Sequence, residues 1–214
     1  MIVAIDGPAG SGKSAVGRRV AEALGLPFVD SGLMYRAIAL LALERGVDPS
    51  DGAALTRLAS GVRVRIEGRR VWVDDEEYTD QVYTPELSEG ASRVAKVAGV
   101  RLALVAQQRA LGRHGVVMAG RDIGTVVFPD TPHKFFLTAS VEERVRRRAA
   151  QIRARGETPD QAELRREVEE RDRRDSQRSV APMRPAEDAA VIDTDRLDLA
   201  AVVAEVLRRI ERPD

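Results

Sequence analysis

Eight consecutive residues near the start of the chain carry the most specific chemistry in it. Gly7-Pro8-Ala9-Gly10-Ser11-Gly12-Lys13-Ser14 satisfy the pattern G-x-x-x-x-G-K-[ST] at every position. Glycines at these places let successive backbone N–H groups curl around phosphate oxygens without a side chain in the way. A helix that begins at the end of such a loop turns its positive end to the same anion. Lys13 can then reach the β- and γ-phosphates of a nucleoside triphosphate, and the Ser14 hydroxyl can ligate Mg²⁺. Lysine occurs only at Lys13, Lys96 and Lys134, nearly all other positive charge being arginine. This pattern needs a strand before the loop and a helix after it. Residues 2–5 are a short, mostly β-branched run and residues 14–24 have helical character, closed by Gly25 and Pro27.

The rest of the chain alternates in the same way. Residues 27–29, 116–119, 134–137 and 190–193 are short apolar runs without polar alternation, as expected for strands buried on both faces. Helical patterns flank them at residues 33–45, 85–113, 140–155, 158–176 and 199–210. The fold class this predicts is α/β, a P-loop NTPase fold with a five-stranded parallel sheet flanked by helices. One stretch breaks the rhythm. Val62, Val64 and Ile66 alternate with charged residues, and Val71 and Val73 resume after Gly68-Arg69-Arg70. That pattern predicts a β-hairpin, with a third strand near Tyr78, inserted at about residues 61–83. The expected organisation is a core of residues 1–30 and 114–214, an inserted subdomain at 31–113 and a helical lid at about 150–178.

Among P-loop proteins, switch GTPases carry N-K-x-D and D-x-x-G signatures that do not occur here. Motor and transporter ATPases end an apolar strand in a metal-holding aspartate. The corresponding strand here ends at Ala119 and runs into Gly120-Arg121-Asp122, where Asp122 suits a substrate pocket better than a metal site. A small chain with an inserted subdomain and an arginine-rich flap suits a kinase.

Three longer motifs sharpen this. Asp30-Ser31-Gly32-Leu33-Met34-Tyr35-Arg36, the run from Gly120-Arg121-Asp122 to Pro129, and Arg171-Asp172-Arg173-Arg174-Asp175-Ser176-Gln177-Arg178 resemble bacterial cytidylate kinases. So do Val180-Ala181-Pro182-Met183 and Ile192-Asp193-Thr194, and the hairpin insert falls where that family carries extra β-structure. The resemblance implies transfer of the ATP γ-phosphate to CMP or dCMP, with Mg²⁺ accompanying ATP. It implies a subdomain that binds the nucleoside monophosphate and a mobile lid. By matching motif, Ser31, Ser92, Arg101 and Asp122 would contact cytosine, and Arg36, Arg121 and Arg178 the acceptor phosphate. Arg171 and Asp175 would meet the ribose. Lys13, Arg121, Arg171 and Arg178 are the expected catalytic cations, with Gly7 to Ser14 holding ATP. Ala119 departs from the pattern, since many relatives have Glu or Asp there.

Arginine's fixed fork suits phosphate and stays charged, and phosphoryl transfer needs alignment and charge neutralisation more than covalent help. Arg36 and Arg121 fall beside loop motifs. Residues 144–178 contain twelve arginines and eight acidic residues, most of which are expected to pair along solvated helices. The segment 171–178, with Arg153 and Arg155, is expected to close on the phosphates. His114 and His133 have no metal-ligand pattern, and Trp72 is expected to pack on the hairpin. Tyr35 suits either packing or the acceptor pocket.

The 34 basic and 34 acidic residues balance, which argues against a general attraction to nucleic acid or anionic membrane. No aromatics interleave the arginines, so there is no stacking platform for RNA. With no cysteine there is no disulfide or thiolate metal site. The N-terminal residues lack the features of a signal peptide, and no apolar run is long enough to span a bilayer. A cytoplasmic monomer acting on small nucleotides is expected. The rival readings are a UMP/CMP kinase, a P-loop regulatory nucleotide-binding protein and an RNA-associated protein.

Overall fold

A computed structural model describes residues 1–211. Five strands, β1 (Ile2–Asp6), β2 (Phe28–Asp30), β6 (Val116–Ala119), β7 (His133–Thr138) and β8 (Ala190–Asp193), form one parallel sheet in the order β2-β6-β1-β7-β8. The first strand lies in the middle, paired Ile5↔Ala119 on one side and Ile5↔Phe135 on the other. Loops leaving strand ends on either side of it therefore converge above its C-terminal end, where ligands of open α/β sheets sit.

Both faces of the sheet are covered over β1, β2, β6 and β7, which is why these strands read as apolar runs, whereas the edge strand β8 leaves Val191 exposed. Val3, Ile5, Val117, Ala119 and Phe28 face α1 (Lys13–Leu24) and α8 (Leu199–Glu211), which contribute Val16, Val20, Val202 and Val206. Ala4, Val29, Val116 and Met118 pack into a larger core with α2 (Gly32–Glu44), α4 (Pro85–Val94) and α5 (Ala98–Leu111).

That larger core extends into the inserted region. Strands β3 (Val64–Glu67), β4 (Arg70–Val73) and β5 (Glu76–Glu77) make a small antiparallel sheet with the register Glu67↔Arg70 across the turn. Such a small sheet is not stable alone. Here Val64, Ile66, Val71 and Val73 bury one face against the helical core. Trp72 packs on this sheet beneath Arg65 and Arg70, with guanidinium carbons 4.1 and 4.6 Å from the ring. Helix α3 (Gly52–Ser60), capped by Asp51 accepting from the Ala54 N–H, packs on α5.

The remaining helices, α6 (Val141–Arg153) and α7 (Gln161–Ser176), pack on each other through a small core of Val145, Ala149 and Leu164. Val141, Ile152 and Val168 pack at its margin, and the rest of both helices is mostly charged. No helix among the described residues is long and apolar enough to cross a membrane.

Candidate active site

The phosphate loop leaves β1 and enters α1. Gly7 has φ +142°, and a Cβ there would run into the Leu137 carbonyl of β7, so the loop must start with glycine. Gly12 caps α1 with φ 92°, without a side-chain cap and with no acidic residue in the first helical turn. The first-turn N–H groups of α1 thus lack side-chain acceptors and face the cleft, the arrangement that receives an anion.

Lys13 is buried, and its ammonium donates to the Pro8 carbonyl of its own loop at 2.6 Å. Burial, then the charge of Arg121, pushes its pKa well below the ordinary lysine value. A cation held out of water beside another cation is poised for an anionic ligand. The Ser14 hydroxyl donates to the Asp30 carboxylate at 2.6 Å.

The cleft above the sheet encloses about 1310 Å³. Of the residues singled out in the sequence, Ala9 to Ser14, Ser31, Arg36, Ser92, Arg101, Arg121, Asp122, Arg171, Asp175 and Arg178 all line it. Gly7 and Pro8 shape the loop beneath without lining the cleft.

Two charge clusters organise the wall away from the loop. Asp175 on α7 accepts from Arg121 Nε at 2.9 Å and from the Ser92 hydroxyl at 3.2 Å. Burial acts to raise the Asp175 pKa, but Arg121, Arg171 and Arg178 outweigh it and hold the carboxyl below its ordinary value. Deeper, Arg101 on α5 pairs with Asp122, both side chains almost fully buried, and the Arg101 guanidinium lies 5.5 Å from the Tyr35 ring. Tyr35 therefore both packs and lines the cleft. Burial raises its phenol to about 12, so it stays protonated. Ser31, at the start of α2, donates to the Ala119 carbonyl at 2.9 Å.

Arginines dominate the space between the clusters and the loop. Arg36 stands on the regular helix α2 rather than in a loop. Its fork donates to the Val82 carbonyl at 3.0 Å and to the Ser88 hydroxyl at 3.2 Å. Arg171 donates to the same hydroxyl at 2.6 Å, and burial followed by Arg121 lowers its pKa to about 10. Arg178 donates to the Asp175 carbonyl at 3.1 Å. Arg171 Nε, Arg178 Nη2 and Arg101 Nε are buried without a hydrogen-bond partner. Buried donors of this kind are costly unless a ligand supplies acceptors, and cations in this number call for an anion.

Several contributors carry no signal in the sequence. Ser88 is the shared acceptor for Arg36 and Arg171. Arg144 and Arg147 of α6 line the cleft and hold the phosphate loop, donating to the Ala9 and Gly10 carbonyls, each at 3.3 Å. Arg144 also forms a two-pronged pair with Asp172 of α7 at 2.9 and 2.5 Å, which ties the loop to the helix pair. Arg148 faces the cleft close enough for its charge to act on Arg36 and Arg171. Arg153 and Arg155, expected near the phosphates, are instead exposed and do not line the cleft. Arg153 is the last residue of α6 and Arg155 lies in the turn after it, past the part of the helix that meets the loop.

If the Ser88 hydroxyl sets the spacing of Arg36 and Arg171, Ser88→Ala is expected to raise KM for the acceptor nucleotide about tenfold with a smaller change in kcat. Hydrogen bonds to charged groups of about 1.5–3 kcal/mol set that scale. Steady-state kinetics with the acceptor varied check it.

Asp6 closes the floor of the site. Its two carboxylate oxygens accept from the Ile123 and Gly124 N–H groups at 2.9 and 2.8 Å, which fixes the turn that presents Arg121 and Asp122. Burial raises its pKa from 3.8 to about 6, assisted by Asp122 and opposed by the two N–H donors and Lys13. The fold thus favours the neutral acid. Its stabilising contribution is complete below about pH 4 and lost as pH rises through about 6. The loss amounts to about 3 kcal/mol, on the order of 6–12 °C in Tm. Asp6→Asn has no such titration, so the stability advantage of the parent over this variant is expected to shrink by that amount between pH 4 and 7. Thermal melts of both proteins across this range check it, and a constant difference would exclude it.

Comparison with known proteins converges on one family. The cytidylate kinase family model matches residues 3–212. The chain is 46% identical to the cytidylate kinase of Pseudomonas aeruginosa (strain LESB58) over 218 residues, covering 99% of this chain and 95% of that one. It is 49% identical to a bifunctional pantoate ligase/cytidylate kinase of Synechococcus sp. (strain JA-3-3Ab) over 97% of this chain, which spans 40% of that relative's length. In fold alone it is similar to a gluconokinase from Sinorhizobium meliloti 1021, with TM-score 0.50 and 18% identity over 99% of this chain and 91% of that one. On the family match over nearly its whole length, the chain belongs to the cytidylate kinase family.

Proposed function

We propose that the protein transfers the γ-phosphate of ATP to CMP and dCMP, giving CDP and dCDP with ADP. The observation that carries this reading is one cleft with an uncapped phosphate loop at one end and a buried arginine cluster with unsatisfied donors at the other. Two anionic nucleotides can be held there face to face. ATP lies with its phosphates in the loop of Gly7 to Ser14, Lys13 leaving the Pro8 carbonyl for the β- and γ-phosphates. Arg36, Arg121 and Arg178 receive the acceptor phosphate, and Arg171 and Asp175 the ribose. Arg121 and Arg171 also stabilise charge on the group in flight. Arg101, Asp122, Ser31 and Ser92 read the cytosine, the carboxylate accepting from its amino group. Residues 31–113 form the acceptor side. The α6–α7 pair, including the lid expected at about 150–178, closes over the phosphates and excludes water.

The acceptor phosphate is itself ionised near neutral pH and acts as the nucleophile, so no side-chain general base is needed. Mg²⁺ prefers oxygen ligands and keeps several waters. The Ser14 hydroxyl at the mouth of the loop, beside a carboxylate, offers that donor chemistry and fits the ion. Bound with ATP, Mg²⁺ neutralises charge on the β- and γ-phosphates. A local cluster of cations for small anions, in a chain of balanced overall charge, supports small nucleotides rather than nucleic acid as partners.

A coupled assay of ADP release with CMP, dCMP, UMP and AMP tests the reading. CMP and dCMP are expected to drive turnover, with UMP and AMP far behind. Equal use of UMP would make the enzyme a UMP/CMP kinase. Slow hydrolysis indifferent to every acceptor would make it a regulatory nucleotide-binding protein.

A further inference from the structure

The strand that ends in a metal-holding aspartate in many P-loop proteins ends here in Ala119, a methyl group. Of the three neighbouring strands β1, β2 and β6, two end in a carboxylate. Asp6 of β1 lies on the same face as Ala4, toward the larger core, and backbone N–H groups occupy both its oxygens. Asp30 of β2 differs in the face it occupies and in giving only one oxygen to a backbone N–H. It is in register with Ala119, so it stands on the α1 face of the sheet, beneath the helix that begins with Lys13 and Ser14. It lines the cleft, and one oxygen accepts from the Ser14 hydroxyl at 2.6 Å while the other accepts from Gly32 N–H at 3.1 Å. Its charge acts on both Lys13 and Arg36. It therefore lies between the loop that takes the donor phosphates and an arginine of the acceptor side.

We propose that Asp30 is the carboxylate that organises the metal in this protein, working through Ser14 and through metal-bound water. By accepting the Ser14 hydroxyl hydrogen bond it turns the oxygen lone pairs outward and makes them better donors to a divalent cation. Outer partners of this kind commonly account for 10–100-fold in metal affinity. Its second role is to accept from water on the ion, which gives the ion a negative partner where residue 119 has none. Asp30 is thus a positioning residue. The assignment rests on the phosphotransferase reading only in requiring that the loop bind ATP.

The test uses the whole protein, Mn²⁺ as the metal probe and a non-hydrolysable ATP analogue, with bound Mn²⁺ read by electron paramagnetic resonance. Asp30→Asn is expected to weaken Mn²⁺ binding to the protein–nucleotide complex by about 10–100-fold. Binding of the metal-free analogue is expected to stay within about twofold of the parent. Asp30→Ser, smaller and also neutral, is expected to do the same, and Asp30→Glu to keep most of the affinity. The proposal is overturned if Mn²⁺ affinity in the neutral variants matches the parent. It is equally overturned if metal-free and metal-bound affinities fall together, or if neither neutral variant folds, since Asp30 would then be holding the loop rather than the ion. No acceptor is present, so a wrong assignment of CMP leaves the result intact. Failure of the parent itself to bind the analogue would overturn the phosphotransferase reading and this proposal with it.

Discussion

Lys13→Ala is expected to lower kcat for CMP by about 10³-fold, about 4 kcal/mol of transition-state stabilisation, without lowering stability. Both halves follow from where the ammonium lies. In the free protein it is buried, bonded to one carbonyl of its own loop, and its pKa is depressed first by burial and next by Arg121. Its charged form is therefore a cost to the fold, which the alanine variant does not bear. When triphosphate enters, the same burial strengthens its attraction to the β- and γ-oxygens, because little water screens it. The gain grows as charge shifts to the leaving oxygen, so the loss falls on kcat more than on KM. A variant with unchanged or raised Tm and turnover down about 10³-fold would separate chemistry from folding in one protein. Thermal melts and single-turnover rates provide the two numbers.

Asp122→Asn is expected to cut the preference for CMP over UMP by a factor on the order of 10², because a site built to pair with a polar group leaves partners unpaired when that group is wrong. Asp122 is almost fully buried and paired with Arg101, so its carboxylate is oriented before any base arrives. An amide in its place presents hydrogens as well as an oxygen, and can serve the carbonyl of uracil as readily as the amino group of cytosine. The substitution also leaves Arg101 with a neutral partner. Breaking a buried pair in this way costs about 3–5 kcal/mol at most, and a loss of stability is expected alongside. The ratio of kcat/KM for the two acceptors, measured on the same preparation, is indifferent to how much protein is folded. An unchanged ratio would remove Asp122 from base recognition.

Much of the fold is legible in the sequence, because strands buried on both faces have few alternatives to an unbroken apolar run. Residues 116–119, buried throughout, show this and match the strand bounds found; residues 190–193 match theirs too, although β8 is the edge strand and leaves Val191 exposed. The hairpin is equally plain from the alternation around Gly68, with β5 lying just before Tyr78. Helix α3 is not, since Gly52-Ala53-Ala54 offers weak periodicity and the segment owes its helicity to packing on α5. The π-helical turn at Ile123–Val127 is also hidden, because two N–H donors of that turn are held by Asp6, which is more than a hundred residues away in sequence.

The candidate site divides along the same line. Residues inside long motifs could be named in advance, whereas Ser88 and the α6 arginines matter through contacts across elements. On α6, Arg144, Arg147 and Arg153 are indistinguishable by type. Only the angle at which the helix meets the phosphate loop places the first two against it and leaves the third in solvent.

Tracing label from γ-labelled ATP tests the central claim most directly, since the cleft is read as a device for passing one phosphoryl group between two bound nucleotides. With CMP present, the label is expected in the β-position of CDP, one for each ADP formed, with little inorganic phosphate. Label released as inorganic phosphate at a rate that CMP does not alter would contradict it.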